Sequence, residues 1–353
     1  MTEAHHLVDS IPHNRLTFGA AEADAATRTV TSGWWASGAQ GQMLEQALAE
    51  IAGRACGACV SSGVAALKLV LQAVGIGQGD RVIVPAYSCV AVPNAVLSLG
   101  AVPVAVDIDL QTYNLDPQKT RQVAGEGAGA KAIVAINTFG LPALIANIIG
   151  LGIPVIEDCS HGIVPKRNAK THIALSLGPT KYLASGGGGA VLTDDATIAD
   201  SVRSERYYDG KAASGLRAND LLSDIHASVA LQQTTRLDAM IERRKVLADR
   251  YLGRLSQLAA DTGVVLPQAA DDHLWYRFVV RHPSVAVERT ARLFSEAGVA
   301  TASPVDNWLG DQVETYPAAH AAYSQAISLP LYPTLSDEEQ DAVIAACSVA
   351  LQN

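Results

Sequence analysis

Ile173-Ala174-Leu175-Ser176-Leu177-Gly178-Pro179-Thr180-Lys181 begins as an apolar run and ends on a lysine among small residues; Ser185 and Gly186-Gly187-Gly188-Gly189 follow. Residues 173–177 have strand character. In an open α/β sheet, ligands gather just outside the carboxyl ends of the strands, where this lysine stands. Lys166 and Lys170 fall in a polar loop and are assigned to solvent. Lys181 differs, with Pro, Thr and Tyr as neighbours and a glycine-rich turn beyond that permits close backbone approach. The setting suits a lysine that loses its proton to form an imine with an aldehyde. Taken alone, a surface lysine beside a turn is the better reading. The rest of the chain reverses it.

Working outward, short apolar runs at 56–60, 81–85, 102–107, 132–136, 154–156 and 190–193 read as further strands. Helical stretches at 20–31, 42–53, 64–74, 91–99 and 144–149 precede or separate them. Continuous apolar strands alternating with helices imply a mainly parallel sheet covered on both faces. Asp158, His161, Ser176 and Lys181 all fall at or just past strand ends. Ser61-Ser62-Gly63 turns into a helix, and free N–H groups at a helix start attract an anion.

The pattern changes at Leu237. Leu237, Ile241, Ala248 and Leu252 form one stripe of a long helix, with Arg236, Arg243, Arg244 and Lys245 assigned to its wet side. A strand at 275–280, a helix at 286–297 and a closing helix at 336–350 follow. Asp337, Glu338 and Glu339 occupy the first turn of the last helix, as the dipole prefers. The expected organisation is a large domain over 1–235, with an N-terminal helical arm, and a smaller one over 236–353 led by the long helix.

Composition narrows the function. The 353 residues are 49% hydrophobic and 17% charged, enough apolar material for a large core. A net charge of −9 without a basic cluster argues against nucleic acid as a partner. Five scattered cysteines do not make a disulfide framework and fit a reducing cytoplasm. Cys56 and Cys59 form a CxxC with no second pair, so they read as small residues of a buried strand. Residues 1–16 lack a signal-peptide pattern. Residues 132–156 carry no charge, but Asn137, Thr138, Pro142, Asn147 and three glycines interrupt them, so a buried core suits them better than a membrane span.

Several stretches then line up in order. They are Ser32-Gly33-Trp34; Ser62-Gly63-Val64-Ala65-Ala66-Leu67; Asp107-Ile108-Asp109 with Thr112, Asn114 and Asp116; and Phe139-Gly140-Leu141-Pro142. Glu157-Asp158-Cys159-Ser160-His161, Ser176 to Lys181, Asn219 with Ser223-Asp224, and Ile327-Ser328-Leu329-Pro330-Leu331-Tyr332-Pro333 complete the set. Each is weak alone. Together, over most of the chain, they resemble the DegT/StrS family of sugar aminotransferases, pyridoxal-phosphate enzymes of fold type I.

The resemblance implies an α/β fold: a mostly parallel seven-stranded sheet flanked by helices, plus a smaller C-terminal α/β domain. It implies that pyridoxal 5'-phosphate is held on Lys181, which moves the proton between substrate carbon and cofactor. Asp158 would pair with the ring nitrogen and keep it protonated. Ser176 and the Gly63 and Val64 amides would bind the phosphate, and Asn219 would reach it from a second subunit of a homodimer. His161 would contact the ring hydroxyl or ring face. The reaction implied is transfer of an amino group, with glutamate as donor, to a keto sugar carried by a nucleotide. A keto-cyclitol acceptor and a cofactor-binding sensor without turnover are the alternatives. Some relatives are dehydratases in which the lysine is replaced; Lys181 argues against that reaction.

The departures are specific. Val64 stands where the family has Thr. Cys89 takes the position of an aromatic that stacks on the ring, with Tyr87 as a substitute. Asn137 replaces a His, Leu221 an Arg and Gly188 a Glu, and the segment between His161 and Ser176 is short. These changes are expected around the substrate mouth.

Overall fold

The computed structural model describes residues 10–125, 129–163, 170–208 and 218–352. Lys166, most of the polar loop around it and residues 1–9 lie outside the described residues. The chain opens with helices α1 (Ala20–Ser32) and α2 (Ala39–Ala52). Gly33 and Gly53 end them at φ 74° and 64°, values that favour glycine. Then follow β1 (Cys56–Val60), α3 (Gly63–Ala73), β2 (Arg81–Pro85), α4 (Ala91–Leu97), β3 (Val102–Val106), α5 (Pro117–Gly125) and β4 (Ala130–Ile136). Next come β5 (Val155–Asp158), β6 (His172–Ser176), β7 (Gly189–Thr193), α6 (Ala196–Glu205) and α7 (Asp224–Thr234). The last part comprises α8 (Leu237–Thr262), β8 (Phe278–Arg281), α9 (Val287–Glu296), α10 (Pro317–Gln325), β9 (Ala326–Leu329) and α11 (Asp337–Ala350).

Seven strands form one sheet in the order β1-β7-β6-β5-β4-β2-β3. All neighbours are parallel except β7, which runs against both β1 and β6. The mostly parallel seven-stranded sheet is therefore as expected. Leu67, Val70 and Leu71 of α3 and Val96 of α4 pack with Val82, Val84 and Val134 on one face. On the other face, Leu44 and Leu48 of α2 and Ala227 and Ala230 of α7 pack with Leu175 and Leu192. Burial on both faces accounts for strands that read as unbroken apolar runs.

A separate apolar cluster joins Leu247 and Tyr251 of α8, Phe278 and Val280 of β8, Phe294 of α9, Ile327 and Leu329 of β9, and Val343 and Cys347 of α11. Strands β8 and β9 form a two-stranded antiparallel sheet. Ser336 and Glu339 make a reciprocal capping box at the start of α11.

Three local expectations are corrected. The helix expected at 144–149 is two single 3-10 turns, Ile145–Asn147 and Ile149–Leu151, because Gly150 and Gly152 fall where a helix would continue. The strand expected from Trp275 starts at Phe278. Trp275 sits at φ 55°, and the amides of Leu274 and Tyr276 donate to Gly140 and Phe139 carbonyls, each at 2.9 Å, in the turn after β4. Arg244 is not on a wet face: it is 5% exposed, and one guanidinium nitrogen donates to the carbonyls of Trp275, Tyr276 and Leu331. The buried stripe of α8 keeps Leu237 and Ala248 of the expected one but runs on through Met240, Leu247 and Tyr251 rather than Ile241 and Leu252, and this carries Arg244 inward.

Candidate active site

Strand β5 ends on Asp158 and its neighbour β6 on Ser176, so the sheet delivers both side chains to the same edge. Helix α3 begins at that edge, because Ser62 bridges Gly188 and Gly189 lies between β1 and β6. A cavity of about 260 Å³ opens there. Asp158, His161, Ser176, Lys181, Gly63, Val64 and Cys89 all line it, drawn from four separate stretches of chain. Asn219 does not. It is exposed, beside Asp220, whose carbonyl accepts the Ser61 amide at 2.6 Å and whose carboxylate pairs with Lys68 at 2.5 Å.

At one end of the cavity is the first turn of α3. Ser62 caps it, its Oγ accepting the Ala65 amide at 3.1 Å. The opening N–H groups of a helix have no carbonyl partner within it, so those of Gly63 and Val64 suit an anion. A Cβ on Gly63 would fall 2.7 Å from the Ser176 Cβ. Glycine is what lets the helix start and the serine hydroxyl converge.

Asp158 lies deeper, 5% exposed, with Oδ1 accepting the Ser160 amide at 2.9 Å. Burial pushes its carboxyl above the usual range; the Ser160 hydrogen bonds and the Lys181 ammonium pull it back in part. A second cation against this carboxylate would favour the ionised form further.

His161 is held by a stack and by a backbone bond. Its ring lies 4.4 Å from the Tyr276 ring at 11° and 6.0 Å from Phe139 at 18°. Its Nδ1 accepts the Phe139 amide at 3.1 Å. Burial, then the charges of Lys181 and Arg277, lower its pKa well below the usual value and keep the ring neutral. The close Tyr276 stack occupies a ring face and Nδ1 is engaged by Phe139, so Nε2 is the ring nitrogen left for a ligand. The Lys181 ammonium stands 5.3 Å from the Tyr276 ring centroid.

Three buried hydroxyls, Tyr87 OH, Ser88 Oγ and Thr138 Oγ1, have no hydrogen-bond partner among the described residues, and all three residues line the cavity. Buried polar atoms are rarely left so, and a polar ligand in the cavity would satisfy them. The Tyr87 ring packs on Tyr323 at 4.6 Å and Tyr113 at 5.7 Å, so it is a fixed part of the wall beside Cys89. Sequence reasoning missed Ser88, Thr138 and Tyr276, which carry no motif signal. The stretch Phe139-Gly140 was the one available pointer to the turn that aligns His161 and Tyr276.

Asn137 is a correction. It is fully buried and belongs to the frame: Nδ2 donates to Glu157 Oε1 at 2.9 Å and Oδ1 accepts the Ala143 amide at 2.9 Å. Among the described residues no group of His, Cys, Asp or Glu could hold a metal, and no helix is long and apolar enough to cross a membrane. Cys59 is buried in β1, its amide bound to Glu45, and both residues of the CxxC are free thiols.

Comparison with known proteins bears on the fold and the family. The spore coat polysaccharide biosynthesis protein SpsC of Bacillus subtilis is 30% identical over 379 residues, covering 95% of this chain and 96% of that protein. The structure of S. venezuelae DesV is 27% identical and superposes with a TM-score of 0.86, covering 94% of each chain. The structure of NtdA from Bacillus subtilis with bound cofactor PMP is 26% identical, with a TM-score of 0.86 over 99% of this chain and 87% of that one. The profile of the DegT/DnrJ/EryC1/StrS aminotransferase family matches residues 17–348, and the chain belongs to that family.

Proposed function

We propose that the protein transfers an amino group from an amino acid, glutamate by preference, to the ketone of a nucleotide-linked keto sugar. It is an aminotransferase that depends on pyridoxal 5'-phosphate. The convergence of Lys181, Asp158, His161 and Ser176 with the start of α3 on one cavity carries this reading. The relative of 30% identity is named for polysaccharide synthesis, which supports a sugar as the acceptor.

The residues present fit the cofactor. The cavity is lined by an anion receptor, a buried carboxylate, a lysine and three hydroxyls that have no partner among the described residues. When bound, pyridoxal phosphate supplies a carbonyl carbon for the amino group and an electron-withdrawing ring. Ser176 and the Gly63 and Val64 amides bind the phosphate. Asp158 orients the ring through its nitrogen and stabilises positive charge there. His161 donates from Nε2 to the ring oxygen. Lys181 anchors the cofactor and moves the proton at the substrate carbon. Tyr87 and Cys89, which line the same cavity, would form part of the cofactor's wall.

A second copy of the chain completes the site in this reading. Asn219 is exposed and outside its own cavity, and Trp34 and Trp35 are 63% and 56% exposed near α1. Large exposed aromatics of this kind suit a subunit contact. The same reading divides the chain into a cofactor-binding part over 1–235 and a smaller part over 236–353.

The test is borohydride reduction of the loaded protein followed by peptide mass spectrometry, then amine transfer from labelled glutamate to a panel of keto nucleotide-sugars and keto-cyclitols. The expected result is the cofactor's mass on Lys181 and label on a nucleotide-sugar. Attachment at another lysine would overturn the assignment. Label only on a cyclitol would replace the acceptor, and cofactor uptake without transfer to any acceptor would make the protein a sensor.

A further inference from the structure

A pair of arginines lies beside the lysine, and neither has an acidic partner among the described residues. Arg277 is half-buried, and its guanidinium meets His13 Nε2 at 3.4 Å. That imidazole does not neutralise it: burial, and then Arg277 itself, lower the pKa of His13 to about 4. Arg244 is 5% exposed, spends one nitrogen on three carbonyls, and leaves its buried Nε without a partner among the described residues.

Both arginines line a cleft of about 60 Å³ with Asn14, Thr180, Tyr276 and Ser328, and no aspartate or glutamate lines it. A narrower space of about 20 Å³ shares Asn14, Thr180 and Arg244 with that cleft and is also lined by Lys181. Lys181 in turn lines the main cavity. Lys181 thus borders both the main cavity and the space that Arg244 shares with the Arg277 cleft. Arg277 and Lys181 stand 5.7 Å and 5.3 Å from the centroid of the same Tyr276 ring.

We propose that Arg277, backed by Arg244 and flanked by Asn14 and Ser328, binds the carboxylate of the amino donor. The inference rests on the transamination reading and names the donor subsite within it. Partly buried cations without counter-ions are costly, and a bound anion removes that cost. A guanidinium fork matches a carboxylate through two parallel hydrogen bonds. At about 60 Å³ the cleft has room for a carboxylate. An amino acid carries its nitrogen and its carboxylate on one short chain, so a site that takes the nitrogen at Lys181 needs an anion receptor about one side chain away. A nucleotide-linked keto sugar carries its anionic diphosphate beyond the ring and has no carboxylate beside its ketone, so Arg277 separates donor from acceptor.

The experiment measures each half-reaction of the loaded protein in the wild type, Arg277→Gln and Arg277→Lys. Arg277→Gln should raise KM for glutamate at least about tenfold, the loss expected of a charge-assisted hydrogen bond, with KM for the keto sugar unchanged. Arg277→Lys should fall between, since it keeps charge but not the fork. Calorimetry with glutarate, an unreactive dicarboxylate, gives a readout independent of turnover: heat of binding in the wild type and none in Arg277→Gln. Unchanged glutamate KM in a folded, active Arg277→Gln protein overturns the inference and leaves the transaminase reading intact. Binding of inorganic phosphate or chloride but not glutarate also overturns it, making the cleft a site for simple anions. A wild type that turns over no donor, yet binds glutarate through Arg277, overturns the transaminase reading and leaves the carboxylate site standing.

Discussion

The backbone N–H of Phe139 donates to His161 Nδ1 at 3.1 Å, and that bond decides which nitrogen of the ring carries its proton. A neutral imidazole whose Nδ1 accepts must hold its hydrogen on Nε2. The lowered pKa of His161 keeps this tautomer through the neutral range. Nitrogen NMR of labelled protein should show Nε2 protonated, Nδ1 bare, and no titration of this ring between about pH 5 and 8. A midpoint near the ordinary histidine value of about 6.5 would contradict the assignment.

Lys181→Ala should leave the fold intact, since the side chain makes a ring contact but no ion pair among the described residues. Amine transfer should fall by at least about a thousandfold, the scale of removing a proton-transfer group. Asp158→Asn keeps shape and loses charge, and should cost about 10²–10³ in turnover with little change in melting temperature. Turnover near wild type in either variant counts against the roles proposed.

Gly63→Ala sets a Cβ 2.7 Å from the Ser176 Cβ, so helix or strand must shift. The expected cost is about 1–3 kcal/mol of stability. Cofactor affinity, followed by fluorescence titration, should drop about tenfold, or about 1.4 kcal/mol.

Arg244→Met strips the buried carbonyls of Trp275, Tyr276 and Leu331 of their shared donor. Denaturant unfolding should show a loss of about 3 kcal/mol or more. Arg244→Lys should not restore it, because a lysine cannot reproduce the position of the guanidinium nitrogen. Equal stability of Arg244→Met and wild type would make these bonds incidental.

Stability should fall as the solution is acidified. Burial lowers His13 and His273 to about 4, and lowers His161 and His172 as well. Below about pH 6.5 the unfolded chain therefore takes up protons that the folded chain refuses, and unfolding gains. For His13 and His273 this loss grows down to about pH 4. Glu22 and Asp107, whose pKa values are lowered in the fold, add to the loss in the same direction. Asp158, raised by burial, opposes it as a single group. Melting temperature against pH should drop from 6.5 to 4, and His273→Asn should flatten that slope.

Much of the sheet was legible because strands buried on both faces read as unbroken apolar runs closed by Gly, Pro or charge. The reversed direction of β7 was not, since residues 189–193 look the same whichever way the strand points. Helix α5 was missed because it buries one residue, Thr120, and leaves no stripe to see. Asp158, Ser176 and Lys181 were legible at strand ends. Arg244 was misread because three carbonyls from distant segments, rather than its own helix pattern, bring it inside. Arg277 and Tyr276 gave no signal, because their value lies in what a turn from β4 sets beside them.

The antiparallel pairing of β6 and β7 has one more consequence. Ser176 is directly opposite Gly189, and the Leu177 amide reaches the Gly188 carbonyl at 2.8 Å, so the segment bearing Lys181 leaves and returns through a single clasp. Its two feet are fastened before any ligand arrives, which limits the volume the amine can sweep. Beyond the lysine, Tyr182 and Leu183 are buried against Leu175 and Leu177, so the lysine's stalk and the phosphate seat share one anchorage and shift together or not at all.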